Sequence, residues 1–166
     1  MKELHALQIA WAVHQTQVDK SGVPYIRHVM RVGEQLADPL DRIVGFLHDA
    51  IEDGPKLAPP DRPFFDIVGH DPVARVIEQE LGSTIRDLVR RLTRREGEDY
   101  FDDYLVRVCR EPVTRRVKRA DCIDNMSRLS QIPDATERER LAKKYNRAFA
   151  LVGYGTSRHS RARQRR

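Results

Sequence analysis

Cysteines, aromatic residues and long apolar runs are all scarce in this sequence of 166 residues. Its 2 cysteines, Cys109 and Cys122, lack CxxC spacing, which excludes a thiol redox pair and predicts reduced, partly buried thiols in an intracellular protein. No apolar run approaches the ~18 residues of a membrane span. The first residues, "MKELHALQIAWAVHQ", are interrupted by charge too often for a signal peptide. We therefore expect a cytoplasmic protein with no membrane partner.

The charge is concentrated at one end of the sequence. The formal net charge is +5, and the last residues, "GTSRHSRARQRR", contribute five arginines, which leaves the remainder near neutral. This stretch has no hydrophobic periodicity, so we predict one domain over residues 1–153 and a disordered Arg-rich tail over 154–166. Such a tail either contacts nucleic acid or is simply solvated.

The apolar residues that are present recur at helical spacing, and strand-like alternation is not sustained anywhere. We predict an all-α protein, a single bundle of about seven to eight helices. Breakers such as "KSGVP" and "QIPD" lie between the periodic segments. Ser83 is predicted to cap one helix and Pro112 to begin another. The longest irregular piece, Gly54–Asp71, is either a lid or an inert insertion. The periodic segments are Leu4–Val18, Tyr25–Leu36, Leu40–Ile51, Val73–Leu81, Thr84–Thr93, Tyr100–Cys109, Val113–Leu129 and Arg138–Val152.

Four titratable residues gather in the stretch "VGFLHDAIEDG", which begins as an apolar helix. His48, Asp49, Glu52 and Asp53 would share one side of a continuous helix that ends at Gly54 as the C′ residue. Carboxylates at a helix C-terminus are unfavourable by about 0.3–1 kcal/mol each, because the macrodipole is negative there. The cluster is therefore either a solvated helix end or one side of a site for a positive ion.

Two further polar groups interrupt apolar helices. Asp121 and Asn125 lie four residues apart in "VKRADCIDNMSRL", and His28 enters a helix in "GVPYIRHVMRV". The side chains of His28, His48, Asp49 and Asp121 together offer nitrogen and oxygen ligands suited to a divalent metal with open positions for water. Zinc is compatible with this set, and Mn²⁺ or Fe²⁺ fits its carboxylates better.

The ordered motifs "SGVPYIRH", "HDAIED" and "VKRADCIDN" resemble those of HD-domain phosphohydrolases, in particular the RelA/SpoT-type branch that hydrolyses guanosine polyphosphates. The resemblance extends from about Leu4 to Val152. The stretch from Tyr100 to Leu129 is similar to the small single-domain hydrolases of that branch. It implies a metal-dependent phosphohydrolase that acts on a nucleotide. The first candidate reaction is hydrolysis of the 3′-pyrophosphate of guanosine tetra- or pentaphosphate.

The resemblance also implies roles for particular residues. One Mn²⁺ ion would be bound by His28, His48, Asp49 and Asp121. Glu52 and Asp53 would act on the attacking water and the leaving group, a role that paired carboxylates a turn beyond the ligands can fill chemically. Four residues are candidates for substrate binding, each with a structural alternative as a core or surface residue: Lys20, Lys118, Asn125 and Tyr145. Lys143 and Lys144 are further candidates for phosphate contacts, and His14 is expected to be structural.

The sequence departs from the resemblance at the base-binding end. Many relatives carry an arginine that stacks on guanine shortly after "HxxQ", whereas "HQTQVDK" places Asp19 there, followed by Lys20. A carboxylate cannot make that cation–π contact, so we expect poor discrimination between guanine and adenine and tighter binding in Asp19→Arg. Two alternatives stay open: a nucleotidase or phosphatase on another nucleotide, including a phosphorylated nicotinamide cofactor, and a non-catalytic sensor whose tail binds nucleic acid.

Overall fold

The computed structural model describes residues 1–54 and 72–154, and this part of the chain is mostly helical, with turns and short irregular connections between the helices. It contains no strand, and only an isolated bridge joins Val18 to Pro24. The all-α prediction is confirmed. The stretch Gly54–Asp71, predicted to be either a lid or an inert insertion, and the tail predicted over 154–166 lie outside the described residues except for their first residues, Gly54 and Tyr154. The α-helices are α1 (Lys2–His14), α2 (Ile26–Glu34), α3 (Pro39–Leu47), α4 (Ala50–Asp53), α5 (Pro72–Leu81), α6 (Ser83–Leu92), α7 (Leu105–Cys109), α8 (Pro112–Ser127) and α9 (Ala135–Tyr154).

Helix starts follow local capping chemistry. The Asp38 side chain accepts hydrogen bonds from the backbone at the start of α3. Pro112 is the first residue of α8, as predicted, with Glu111 as its N-cap. Ser83 is not a cap: it is the first residue of α6, and Gly82 precedes it with φ of 99°. Glycine populates this left-handed region readily, so the chain turns from α5 into α6 at Gly82.

Helix α3 lies at the centre of the packing and contacts α1, α2, α6 and α8. Its side chains Val44 and Leu47 are fully buried. Two glycines allow α2 to approach it closely, because a Cβ atom on Gly33 would lie 2.3 Å from the Phe46 ring and one on Gly45 would lie 3.0 Å from the Cα atom of Gly33. This close crossing brings together α2, which carries His28, and α3, which His48 follows.

The predicted continuous helix through Leu40–Ile51 is broken. Helix α3 ends at Leu47, His48 and Asp49 form a turn, and α4 begins at Ala50. Gly54 is not a left-handed C′ residue, since its φ is −51°. A Cβ atom at that position would lie 2.4 Å from the Val73 side chain, so the glycine is required by close packing against α5.

The two cysteines are free and buried, in agreement with the sequence-based prediction. None of the helices in the described part of the chain is long and apolar enough to cross a membrane.

Candidate functional site

Three separate elements bring two imidazoles and a carboxylate together. His28 comes from α2, His48 from the turn after α3 and Asp121 from α8, and one ligand atom of each lies within 4.8 Å of the others. The Asp121 Oδ1 atom is 3.4 Å from His28 Nε2 and 4.0 Å from His48 Nε2. Ligand atoms about 2.1 Å from one ion lie roughly 3–4.2 Å apart, so these separations are those of a possible divalent metal site.

Hydrogen bonds on the far side of each ring orient the two histidines. The His28 Nδ1–H group donates to Asp124 Oδ2 at 2.7 Å, and the His48 Nδ1–H group donates to the Gly45 carbonyl oxygen at 2.8 Å. Both Nε2 atoms therefore face the cluster. His48 Nε2 is buried, and its nearest polar neighbour is a carboxylate oxygen, Asp49 Oδ2, at 2.9 Å. This is the arrangement of metal-binding histidines, in which an outer partner orients the ring and turns the other nitrogen toward the metal site.

Asp124 was not predicted as a site residue, although its contacts are extensive. Besides His28, it accepts two hydrogen bonds from Arg31, at 2.6 and 3.0 Å. Burial raises its pKa, but the bonds from His28 and Arg31 outweigh this and lower the pKa to about 2. The carboxylate is thus ionised and fixed, and it holds the His28 ring in place.

Asp49, the fourth predicted ligand, lies at the edge of the same cluster. Its Oδ2 atom is 2.9 Å from His48 Nε2 and 3.9 Å from His28 Nε2. The Tyr25 hydroxyl donates to the same oxygen at 2.5 Å. Tyr25 is a second site residue that we did not predict from the sequence. Its position in "PYIRH", three residues before His28, was the signal that could have identified it. The role of Asp49 as a ligand stays a prediction.

The cluster is electrostatically coupled. Burial lowers the pKa of His28, but hydrogen bonds to Asp121 and Asp124 and the charge of Asp49 raise it to about 9. Burial raises the pKa of Asp121, and the neighbouring Lys118 ammonium and the histidines lower it well below its usual range. The Lys118 Nζ atom lies 2.7 Å from Asp121 Oδ2, and both side chains are almost buried.

Lys118 and Asn125, two of the predicted substrate-binding residues, both contact Asp121. The Asn125 amide donates to Asp121 Oδ1 at 2.5 Å, one helical turn away on α8. Lys118 and Asn125 therefore fix the carboxylate between them. Their contacts to substrate stay predictions.

The two predicted catalytic acids leave α4 toward different elements. Glu52 Oε2 accepts a hydrogen bond from the Arg94 backbone N–H at 3.1 Å. Asp53 Oδ2 accepts one from the Gln17 side-chain amide at 2.9 Å, and His14 Nδ1 donates in turn to Gln17 Oε1 at 2.7 Å. Because burial lowers the pKa of His14, despite the bond to Gln17, it is the neutral imidazole that makes this bond. Gln17 is a third missed residue, signalled by "HxxQ".

A cavity of about 310 Å³ opens beside the cluster, and His28 and Tyr25 line it. Three of the predicted substrate residues, Lys20, Asn125 and Tyr145, line the same cavity. Lys20 also pairs with the Glu137 carboxylate. The structure thus brings these three side chains together next to the possible metal site.

Asp19 lines this cavity too, but its carboxylate is occupied. Its Oδ1 atom accepts from the backbone N–H groups of Ser21 and Val23, at 2.8 and 3.0 Å, and from the Ser21 hydroxyl. Its Oδ2 atom accepts from the Arg128 guanidinium at 3.2 Å. Asp19 therefore closes the loop before α2 and holds Arg128 in the cavity wall.

No protein-family model matches the chain. A "Probable GTP pyrophosphokinase" of Mycobacterium leprae (strain TN) is 29% identical over 154 residues, which cover 89% of this chain and 18% of that protein. The chain thus spans less than a fifth of this curated relative.

A solved structure of a metazoan ortholog of SpoT, described as a protein that hydrolyzes ppGpp and plays a role in starvation responses, matches with a TM-score of 0.69. The match covers 94% of this chain and 88% of that one at 19% identity. The chain therefore has the all-helical fold of that SpoT ortholog.

Proposed function

We propose that the chain is a metal-dependent phosphohydrolase that acts on a nucleotide, with the 3′-pyrophosphate of guanosine tetra- or pentaphosphate as its first candidate substrate. The observation that carries the proposal is the pair of imidazoles, His28 and His48, whose Nε2 atoms both face Asp121 while their Nδ1 atoms are held elsewhere. The fold shared with the SpoT ortholog that hydrolyzes ppGpp supports the same reaction. The proposed catalytic unit is residues 1–153.

The proposed cofactor is Mn²⁺, held by His28, His48, Asp121 and Asp49. The observation that fits such an ion is the buried His48 Nε2 atom, which faces two carboxylate oxygens, Asp49 Oδ2 at 2.9 Å and Asp121 Oδ1 at 4.0 Å. A divalent cation would take these nitrogen and oxygen atoms as ligands and offset the repulsion between the two carboxylates. When bound, a divalent ion supplies Lewis acidity that polarises a phosphoryl oxygen and lowers the pKa of water.

The chain's own groups would handle protons and charge. In this proposal Asp53, which accepts a hydrogen bond from Gln17, and Glu52, which accepts one from the Arg94 backbone, would move protons at the attacking water and the leaving group. Lys20 and Arg128 line the adjacent cavity, paired with Glu137 and Asp19, and their remaining N–H groups would donate hydrogen bonds to phosphate oxygens. Tyr145 in the same wall offers an aromatic surface to the nucleoside.

A screen of the purified protein against a nucleotide panel with Mn²⁺ tests this function. The first candidate substrate predicts release of pyrophosphate rather than orthophosphate, together with stoichiometric metal by elemental analysis. Metal binding without turnover of any nucleotide would instead favour the sensor interpretation.

One observation favours another nucleotide as the substrate. The position expected to carry a guanine-stacking arginine is Asp19, and its carboxylate is engaged by Ser21, Val23 and Arg128. Release of orthophosphate from a phosphorylated nicotinamide or adenine nucleotide, with guanosine tetraphosphate left intact, would establish this second candidate.

A further inference from the structure

A second cavity of about 430 Å³ shares no lining residue with the first. Its walls carry two aromatic rings, Tyr100 and Phe101, and the cations Arg94, Lys144 and Arg147. We name this set of five residues the cationic groove. None of the described residues that line the cavity is acidic.

No carboxylate among the described residues forms an ion pair with the three cations of the groove. The nearest acid effect is at Asp99, whose pKa is lowered first by backbone hydrogen bonds from Asp102 and Phe101 and further by the charges of Arg147 and Arg94. Arg94 donates its guanidinium hydrogens to the Glu98 carbonyl oxygen, at 2.7 and 3.1 Å, which fixes the side chain without neutralising it. Lys144 and Arg147 form no ion pair within the described part of the chain. Two cations at the rim behave differently, because Arg140 pairs with Glu137 and Lys143 with Glu139.

Aromatic rings hold two of these cations in place. Lys144 Nζ lies 4.3 Å from the centre of the Tyr100 ring, and the Arg147 guanidinium carbon lies 3.8 Å from the centre of the Phe101 ring. The two rings are perpendicular, with centres 5.0 Å apart. Cation–π contacts of this kind orient a cation and leave its hydrogen-bond donors free for an anion.

The groove carries positive charge at exposed positions, Arg94 and Arg147, and at one partly buried position, Lys144. Burial lowers the pKa of Lys144, and the charge of Lys118 lowers it further. Asp121 opposes this, and Arg140 and Arg94 add smaller lowering effects. A bound anion would relieve the repulsion between these cations.

The groove adjoins the possible metal site at two points. Tyr100 faces Lys118 as well as Lys144, since the Lys118 Nζ atom is 5.8 Å from its ring centre, and Lys118 binds Asp121. The backbone of Arg94 binds Glu52. A ligand in the groove would therefore lie next to the candidate catalytic residues, outside the first cavity.

We propose that the cationic groove binds an oligophosphate, a chain of two or more linked phosphates. Three cations that form no ion pair among the described residues match the repeated negative charges of such a chain better than one phosphate. A guanidinium binds phosphate oxygens in a planar fork, and the groove contains two of them. The oligophosphate is either part of the nucleotide substrate or free pyrophosphate. Only the choice of these two sources rests on the proposed function.

Binding of inorganic tripolyphosphate, measured by calorimetry on the full-length protein in chelator, tests the site without turnover. Lys144→Gln/Arg147→Gln removes two charge-assisted contacts, so we expect binding about 10- to 100-fold weaker. Arg110→Gln/Arg115→Gln removes the same charge outside the groove and should bind within about threefold of the parent. Phe101→Leu retains every charge but releases Arg147, and we expect roughly a fivefold loss.

The result that overturns the proposal is absence of binding in the parent, or equal losses in the groove and control double variants. Circular dichroism and metal content verify that each variant is folded. These outcomes are independent of hydrolysis, so a protein that binds tripolyphosphate but cleaves no nucleotide would refute the proposed function alone.

Kinetics identify the source of the phosphate chain. If the groove receives the substrate's own phosphates, Lys144→Gln/Arg147→Gln raises KM for nucleotides with a diphosphate and leaves monophosphates unchanged. If it receives free pyrophosphate, the inhibition constant for pyrophosphate rises and KM is unchanged.

Discussion

The two sides of the candidate site differ in how firmly their side chains are held. On one side, His28, His48 and Asp121 are at most 6% exposed, and a second group fixes each of them. On the other side, Glu52 and Asp53 are partly exposed on a helix of four residues. A rigid buried set suits a bound ion, whose ligands must not move. Partly exposed acids retain access to water, which a group that transfers protons requires.

Replacing Asp121 should have the largest effect on the buried side of the site, because Asp121 contacts both histidines and Lys118. In Asp121→Ala we expect no stoichiometric metal and turnover at background. We also expect a loss of about 3–5 kcal/mol in the free energy of unfolding, because Lys118 loses its buried partner. Elemental analysis and denaturant unfolding measure the two effects. Asp121→Asn is the control: it keeps an oxygen for Lys118, so it should recover most of the stability without recovering the metal. Normal metal content in either variant would contradict the site.

Substitutions of Glu52 and Asp53 should lower turnover without lowering metal content or stability. Glu52→Gln and Asp53→Asn are expected to keep metal content and thermal stability, and to lose on the order of 10²–10⁴ in kcat. Both substitutions are nearly isosteric and leave an oxygen to accept the bonds from Arg94 and Gln17. An acid whose variant turns over like the parent is not a proton-transfer group, and a loss of metal would place that acid among the ligands.

From the sequence we predicted the candidate ligands on the buried side, but not the residues that orient them. Motif order identified His28, His48 and Asp121 because ligand types and their spacing are visible in one chain. Asp124 was missed, since which face of α8 meets α2 depends on tertiary packing. The break between Leu47 and Ala50 was also missed, because the apolar periodicity continues through it. A helix that is interrupted by tertiary contacts leaves no local signal of this kind.

Gln17 offers a smaller test of how Asp53 is positioned. Gln17→Met removes the amide that bonds Asp53 Oδ2 and also leaves His14 Nδ1 without its acceptor. We expect kcat to fall about tenfold, the value of one hydrogen bond of about 1.4 kcal/mol, with KM and metal content unchanged. The matched control is Gln15→Met, an exposed residue whose side chain bonds the Ala12 carbonyl and no other described residue, and it should not alter kcat. If Gln17→Met in an Asp53→Asn background lowers kcat by the same factor again, Gln17 does not act through Asp53.

Asp19 gives the smallest expected effect and reverses an expectation from the sequence. The comparison with the arginine of relatives predicted that the Asp19→Arg variant would bind substrate more tightly. In the structure its carboxylate closes the loop through Ser21 and Val23 and holds Arg128 in the cavity wall. Burial raises the pKa of Asp19, but these backbone and hydroxyl bonds and Arg128 lower it below its usual value, so the group is ionised near neutral pH.

An arginine at position 19 would remove the loop's acceptor and place a second guanidinium beside Arg128. We therefore expect Asp19→Arg to raise KM about three- to tenfold and to lower the free energy of unfolding by about 1 kcal/mol, the value of a local side-chain cap. Asp19→Asn separates the two causes, because it keeps an oxygen for Ser21 and Val23 but loses the charge that holds Arg128. It should keep the stability and show a smaller rise in KM. The measurement is kcat/KM for matched guanine and adenine nucleotides in the parent, Asp19→Arg and Asp19→Asn. A lower KM and a new preference for guanine in Asp19→Arg would show that the loop tolerates the exchange and that the sequence comparison was the better guide.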